Sequence, residues 1–113
     1  MELKIRKSAE IYIIDVFGEM DLYNSYKLKE LVNKMIEKNV KKIIINLDKT
    51  DYMDSSGIGA LIYIFSTTKK QNVGCCISGV KGTVRKVIEL TKLTDFFVMS
   101  QDINEAIQLL KED

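Results

Sequence analysis

Asp51-Tyr-Met-Asp-Ser-Ser-Gly-Ile-Gly-Ala-Leu-Ile-Tyr-Ile64 is the stretch around which the chain is organised. It follows Lys42-Ile-Ile-Ile-Asn-Leu47, a run that reads as a strand buried on both faces. It leads into an apolar pattern that reads as a helix from Ile58 to about Lys70. Asp54, Ser55, Ser56, Gly57 and Gly59 therefore occupy a turn where a strand hands over to a helix. Glycines let the backbone turn tightly and let a partner come close. Aspartate and serine offer side-chain oxygens to the free N–H groups of a helix start, which also carries partial positive charge. A serine hydroxyl here can cap the helix, act as a nucleophile or accept a phosphoryl group.

The flanking chain alternates strand and helix. Leu3-Lys-Ile-Arg-Lys7 alternates apolar and basic residues, and Ile11-Tyr-Ile-Ile-Asp-Val-Phe17 is rich in β-branched and aromatic residues. Ser8-Ala9-Glu10 is short enough to join them as a hairpin. Gly18-Glu-Met-Asp21 breaks the strand pattern. Asn24 is placed to cap a helix whose apolar face is Leu28, Leu31, Val32, Met35 and Ile36. In the helix after the serines, Ile58, Leu61, Ile62 and Phe65 form one side, with Ala60, Tyr63 and Ile64 broadening it. Core packing accounts for most of these, whereas Ile58, beside the serines, is expected to face a partner. Val73 to Ser78 reads as a strand and Gly79 to Gly82 as a turn. A helix from Thr83 to Leu90 or Lys92 follows, with Val84, Val87, Ile88 and Thr91 on one face. Phe96-Phe-Val-Met99 reads as a short edge strand. Asp102 and Glu105 resemble a capping box ahead of a last helix with Ile103, Ala106, Ile107 and Leu110 on its inner face. The order is β-β-α-β-α-β-α-β-α, which predicts an α/β fold with a mostly parallel mixed sheet of four to five strands and about four helices.

Composition narrows the function. The 113 residues predict a single domain, 1–113, with an ordinary soluble balance of 46% hydrophobic and 29% charged residues. A formal net charge of +1 argues against bulk nucleic acid or an anionic membrane as partner. No apolar run reaches membrane-spanning length and no signal-peptide core is present, so a cytoplasmic location is expected. With no histidine there is neither a Ser-His-Asp triad nor an imidazole metal ligand, and no cofactor or metal is expected. Cys75 and Cys76 are adjacent; in a strand they point to opposite faces and suit neither a chelate nor an ordinary disulfide.

The central turn lacks the lysine of a nucleotide-binding loop, and Asp54 would repel a phosphate. It lacks Gly-x-Ser-x-Gly and any histidine base, which argues against a serine hydrolase. Two readings of the residues remain open: a pair of serines that merely caps a helix, and a phosphorylation switch in which serine is substrate and not catalyst.

Asp54-Ser-Ser-Gly-Ile-Gly59 after a buried strand closely resembles the phosphoacceptor motif of bacterial anti-sigma factor antagonists in the STAS-domain family. Gly18-Glu-Met-Asp21 looks like that family's Gly-Glu-Leu-Asp. Val84-Arg-Lys-Val-Ile-Glu-Leu-Thr-Lys-Leu-Thr-Asp-Phe-Phe97 is similar to its third helix and the turn beyond. The resemblance spans roughly residues 2 to 110. It implies a STAS-like single domain acting as a regulator without catalysis, monomeric when free. In that family the unphosphorylated antagonist binds an anti-sigma factor that is also a serine kinase and so frees the sigma factor; phosphorylation ends the complex and a phosphoserine phosphatase resets it. Carried over, Ser55 is the acceptor. Asp54, Ser56, Gly57, Ile58 and Gly59 shape the docking surface with Asp21 as neighbour, and Ser56 serves the helix start. Met20 replaces the family's leucine, and Lys92 stands where the family often has glycine. The competing reading is a non-phosphorylated STAS scaffold, or a subunit of a stress-signalling or transport complex, that keeps the serines only as caps.

Overall fold

Strand β1 (Glu2–Ser8) and strand β2 (Ile11–Met20) form an antiparallel hairpin in a computed structural model that describes residues 1–111. Ala9 takes a left-handed conformation, φ 54°, in the turn between them. Helix α1 (Ser25–Glu37) leads to strand β3 (Lys42–Asn46), and a short strand β4 (Thr50–Met53) follows. Then come α2 (Ser55–Lys70), β5 (Gly74–Ser78), α3 (Gly82–Leu90), β6 (Met99–Ser100) and α4 (Ile103–Lys111). The sheet order is β1-β2-β3-β5-β6, with β4 paired to β2, and every pairing except β1–β2 is parallel.

The mostly parallel α/β architecture is the one read from the sequence, with one added strand. Beyond Gly18, β2 leaves β3 and pairs with β4, and the register shifts between Gly18 and Glu19. Gly18 permits this at φ +91°. Only three residues, 47–49, separate β3 from β4, and both run parallel to β2, so β4 is in effect β3 resumed after a sideways step. The Gly18–Asp21 segment expected to break the strand thus carries it on to Met20. Thr50-Asp-Tyr-Met53 has no apolar alternation, which is why it does not read as a strand.

Helices α1, α2 and α3 lie on one face and α4 on the other. Ile14, Val16, Ile43, Ile45, Cys75 and Ile77 pack with Leu28, Val32, Leu61, Phe65, Val84 and Ile88. Ile11, Ile13, Ile44 and Cys76 pack with Ala106 and Leu110. The isoleucine run and the two free cysteines are therefore split between the faces as their alternation requires. The strand order advances without reversing from β2 to β6, and right-handed crossovers keep the first three helices on one side.

Two local expectations change. Phe96 and Phe97 do not extend the edge strand, which is confined to Met99–Ser100. Their rings turn onto Phe65, with centroids 5.2 Å apart for Phe65–Phe97 and 6.3 Å for Phe65–Phe96, so ring packing outweighs a longer ladder at the sheet edge. Asn24 sits at the N-cap position of α1 but does not cap it. Its Oδ1 accepts from the Asp21 N–H at 2.9 Å and its Nδ2 donates to the Glu19 carbonyl at 2.9 Å, bracing the loop that precedes the helix. The Asp102 half of the expected box forms, Asp102 Oδ1 accepting from the Glu105 N–H at 2.9 Å, whereas Glu105 Oε1 accepts from the Gln101 N–H at 3.1 Å, one residue before the cap. Among the described residues no helix is long and apolar enough to cross a membrane.

On the α4 side, the sheet beyond that helix is polar. Asp15 accepts from Arg6 Nε at 2.6 Å, Arg6 Nη2 at 2.9 Å and Asn46 Nδ2 at 2.8 Å. Burial works to raise the Asp15 pKa, but the bonds from Arg6 and Asn46 and the charges of Arg6 and Lys4 outweigh it and hold the carboxyl below its ordinary value. A depressed folded-state pKa adds stability above the unfolded value, about 3.9, that is lost as pH falls. Asp15→Asn is expected to lower stability at neutral pH and to flatten the acid limb of a stability–pH profile measured by urea unfolding.

Lys92, which stands where the resembling family often has glycine, takes the left-handed conformation after α3, φ 60°, and is exposed. A side chain there is strained where glycine is not. Lys92→Gly is expected to raise stability by about 0.5–1 kcal/mol, the relieved strain exceeding the added freedom of the unfolded chain. An upward shift of the urea midpoint at constant slope checks it.

Candidate functional site

The ends of β2 and β4 meet side by side, with Met20 in register against Met53 and both side chains buried. The Asp54 N–H donates to the Met20 carbonyl at 3.2 Å, closing the end of this ladder. Helix α2 begins at the next residue, Ser55, three residues earlier than the apolar pattern indicated. The strand that hands over to the helix is therefore β4 and not the isoleucine strand.

Asp54 is the N-cap. Its Oδ1 accepts from the Ser56 N–H at 2.8 Å and the Gly57 N–H at 3.1 Å. Its Oδ2 accepts from the Leu22 N–H at 3.2 Å. One carboxylate thus satisfies two free donors of the helix and also holds the β2–α1 loop against it. Asp21 lies in that loop, where its Oδ1 accepts from the Tyr23 N–H at 2.9 Å and its carbonyl from the Ser25 hydroxyl at 2.8 Å. Asp21 is joined to the cap through Leu22, its neighbour in sequence.

The two serines differ. Ser55 is exposed at the first position of α2, and among the described residues its hydroxyl has no hydrogen-bond partner. Ser56 is half-buried and contributes its N–H to Asp54, its hydroxyl likewise without a partner among the described residues, so it is exposure that separates the two. Ser56 serves the helix start through its backbone N–H, and the side-chain cap is the Asp54 carboxylate, which adds charge.

The two glycines also differ. A Cβ on Gly57 would lie 2.6 Å from Met53 Cγ, 3.0 Å from the Met20 carbonyl oxygen and 3.1 Å from Met20 Cβ. The first turn of α2 sits directly on the two strand ends, and only a hydrogen fits between. A Cβ on Gly59 would meet nothing within 4 Å. Gly57 is buried and Gly59 exposed.

Ile58 does not face outward as expected. It is 5% exposed and belongs to the cluster that holds Met20, Met53 and Val84. With the helix starting at Ser55, Ile58, Leu61 and Phe65 fall on one stripe against the sheet. Of the residues proposed from sequence, Ser55 and Gly59 are exposed, Asp21, Asp54 and Ser56 are half-buried, and Gly57 and Ile58 lie beneath. The most exposed apolar residues around the site are Leu22 and Tyr23, which follow Gly18-Glu-Met-Asp21 and have no periodicity to mark them; Tyr26 and Tyr52 are exposed to a lesser degree.

Chemically the site presents two unbonded hydroxyls at a helix N-terminus beside the Asp54 carboxylate, and of the two only that of Ser55 belongs to an exposed residue. The chain has no histidine, and among the described residues no base is bonded to Ser55. No group of three metal-ligating side chains occurs among the described residues.

The STAS domain family matches residues 2–106. The anti-sigma-B factor antagonist of Staphylococcus aureus is 27% identical over 103 residues, covering 89% of this chain and 95% of that protein. An anti-sigma factor antagonist from Mycobacterium paratuberculosis superposes with a TM-score of 0.88 at 17% identity, over 97% of this chain and 93% of that one. The Bacillus cell fate determinant SpoIIAA, in its phosphorylated form, superposes with a TM-score of 0.72 at 22% identity, over 96% of this chain and 99% of that one.

Gly57→Ala and Gly59→Ala should act in opposite directions. The first must displace Met53 and the Met20 backbone and is expected to cost about 1–3 kcal/mol. The second replaces glycine by alanine on an open helix surface and is expected to gain up to about 1 kcal/mol. Asp54→Ala, which removes the cap, is expected to cost about 1–2 kcal/mol. Urea unfolding of the three variants checks all of these.

Proposed function

The chain belongs to the STAS domain family, and from that premise we propose that it is an anti-sigma factor antagonist whose binding is switched at Ser55. Unphosphorylated, it binds an anti-sigma factor serine kinase and releases the sigma factor. The kinase transfers the γ-phosphoryl group of ATP to Ser55 Oγ, the hydroxyl proton leaves to the kinase, and ADP departs. The complex then dissociates, and a phosphoserine phosphatase restores the hydroxyl by hydrolysis. The chain supplies a substrate side chain and a docking surface, and no catalysis.

The observation that carries this reading is the division of labour at the start of α2. Asp54 caps the helix, so Ser55 is not needed for capping and stands exposed with its hydroxyl free. That favours the switch over the reading in which the serines are caps alone. The names of the relatives support the same role.

The energetics follow from the site. A phosphoserine adds about −1.5 to −2 charge at neutral pH. In the free protein, water and the helix N-terminus moderate it, each effect of order 1 kcal/mol. In a close interface the same group must be desolvated beside Asp54 and near Asp21. An uncompensated charge there costs several kcal/mol, enough for orders of magnitude in affinity. Gly59, open on the outer surface of the first turns, leaves room for the partner's backbone.

Ser55→Ala is expected to hold the kinase persistently and Ser55→Asp to bind it at least about tenfold more weakly. The Ser55→Ala variant serves as bait in native lysate, and titration with the captured kinase measures both affinities. Incubation of the unmodified chain with that kinase and ATP should add one phosphate, which peptide mapping should place on Ser55. Modification of Ser56, or equal affinity of the two variants, would overturn the reading.

A further inference from the structure

We propose that Leu22 and Tyr23 form the apolar anchor by which the kinase grips this chain, and that Asp54 couples the anchor to the phosphorylation state of Ser55. The proposal rests on the reading of Ser55 as a kinase substrate and names the partner-binding residues and regulation of that site.

Leu22 is 68% exposed and Tyr23 83% exposed, consecutive in one loop. Such a pair is costly to leave in water, and in a loose loop it would be costly to order on binding. This loop is not loose. Tyr23 N–H donates to Asp21 Oδ1 at 2.9 Å, Asp21 N–H to Asn24 Oδ1 at 2.9 Å, and Asn24 Nδ2 to the Glu19 carbonyl at 2.9 Å. Leu22 N–H donates to Asp54 Oδ2 at 3.2 Å, across 32 residues of chain. The backbone is held while both side chains are left to solvent. That is a pre-organised anchor, and tyrosine is among the residue types enriched in such anchors.

Position identifies the occupant. Leu22 is one hydrogen bond from Asp54, the residue immediately before Ser55. A kinase that brings ATP to Ser55 Oγ must cover this loop, so the apolar pair and the acceptor hydroxyl lie under one partner. Asp21, Asp51, Asp54 and exposed Glu19 add negative charge to the ends of β2 and β4. The fitting surface on the kinase is therefore an apolar pocket with a basic rim.

The coupling follows from the bonds of Asp54. Its Oδ1 occupies the Ser56 and Gly57 N–H groups and its Oδ2 holds Leu22. A phosphate on Ser55 brings three strong acceptor oxygens to the same helix N-terminus and about two negative charges beside the carboxylate. If the phosphate takes the N–H groups, Asp54 is displaced. If Asp54 stays, repulsion pushes it outward. Both outcomes weaken the bond to Leu22, so phosphorylation loosens the anchor as well as charging the interface.

Two measurements test this. The first is amide hydrogen exchange by NMR on the whole chain, unmodified and carrying phosphoserine introduced at position 55 during translation. Exchange at Leu22 and Tyr23 is expected to rise roughly tenfold or more while Ile14, Ile44 and Ile45 are unchanged. Unchanged exchange at Leu22 would overturn the coupling. The second is steady-state phosphorylation by the kinase that Ser55→Ala captures. Leu22→Ala and Tyr23→Ala are expected to raise KM about tenfold or more at unchanged kcat, with Tyr23→Phe close to the unmodified chain. Full KM retention in both alanine variants, with Ser55 still phosphorylated, would sink the anchor while leaving the function in place. If no kinase modifies Ser55 at all, the functional reading itself fails, and the anchor with it.

Discussion

A single carboxylate joins the parts of this molecule that face outward. Asp54 accepts three hydrogen bonds, two from the first turn of α2 and one from the loop before α1. Each bond to a charged acceptor is stronger than a neutral one, and all three satisfy backbone donors that would otherwise rely on water. The cap fixes where α2 begins, and the third bond fixes where Leu22 lies relative to it. Ser55 is exposed because its neighbour has taken the structural task that a serine could have performed.

That arrangement depends on how β2 ends. Had β2 stayed paired with β3 to its last residue, Met53 and Asp54 would not lie beside Met20. The bulge at Gly18 lets β2 exchange β3 for β4, and β4 then delivers Met53 against Met20 and Asp54 into the cap position. Gly57 completes the fit by letting the first turn of α2 rest on both methionines. The two glycines of the motif thus answer to different constraints. One is set by the interior, and the other, Gly59, is left without a neighbour in the chain.

A charge placed at this point acts mainly on the surface. The strands that hold the core, with Ile14, Ile43, Ile44 and Ile45 fully buried, have no bond to the serine side chain. The helix dipole and the adjacent acids pull on a phosphate in opposite senses and partly cancel while water is present. Removing water, as a partner does, breaks that balance in favour of repulsion. Under the proposed switch at Ser55, the chain would change what it binds without changing its fold.

Much of this was legible in the chain. The isoleucine run, the split cysteines, the 3.6-residue stripes of α1, α3 and α4 and the Asp102 half of the capping box follow from periodicity and local hydrogen bonding, which depend on near neighbours alone. Asp54-Ser-Ser-Gly-Ile-Gly59 likewise announced a helix start with a small-residue turn. Tertiary structure decided the remainder. Thr50–Met53 became a strand because β2 offered an open edge, not because of its own pattern. Phe96 and Phe97 left the sheet because Phe65 offered ring faces. Ile58 turned inward, and Leu22 was held beside the site by a residue 32 positions away. Each of these outcomes is a choice between locally equivalent alternatives, and only contacts distant in sequence carry the energy that separates them.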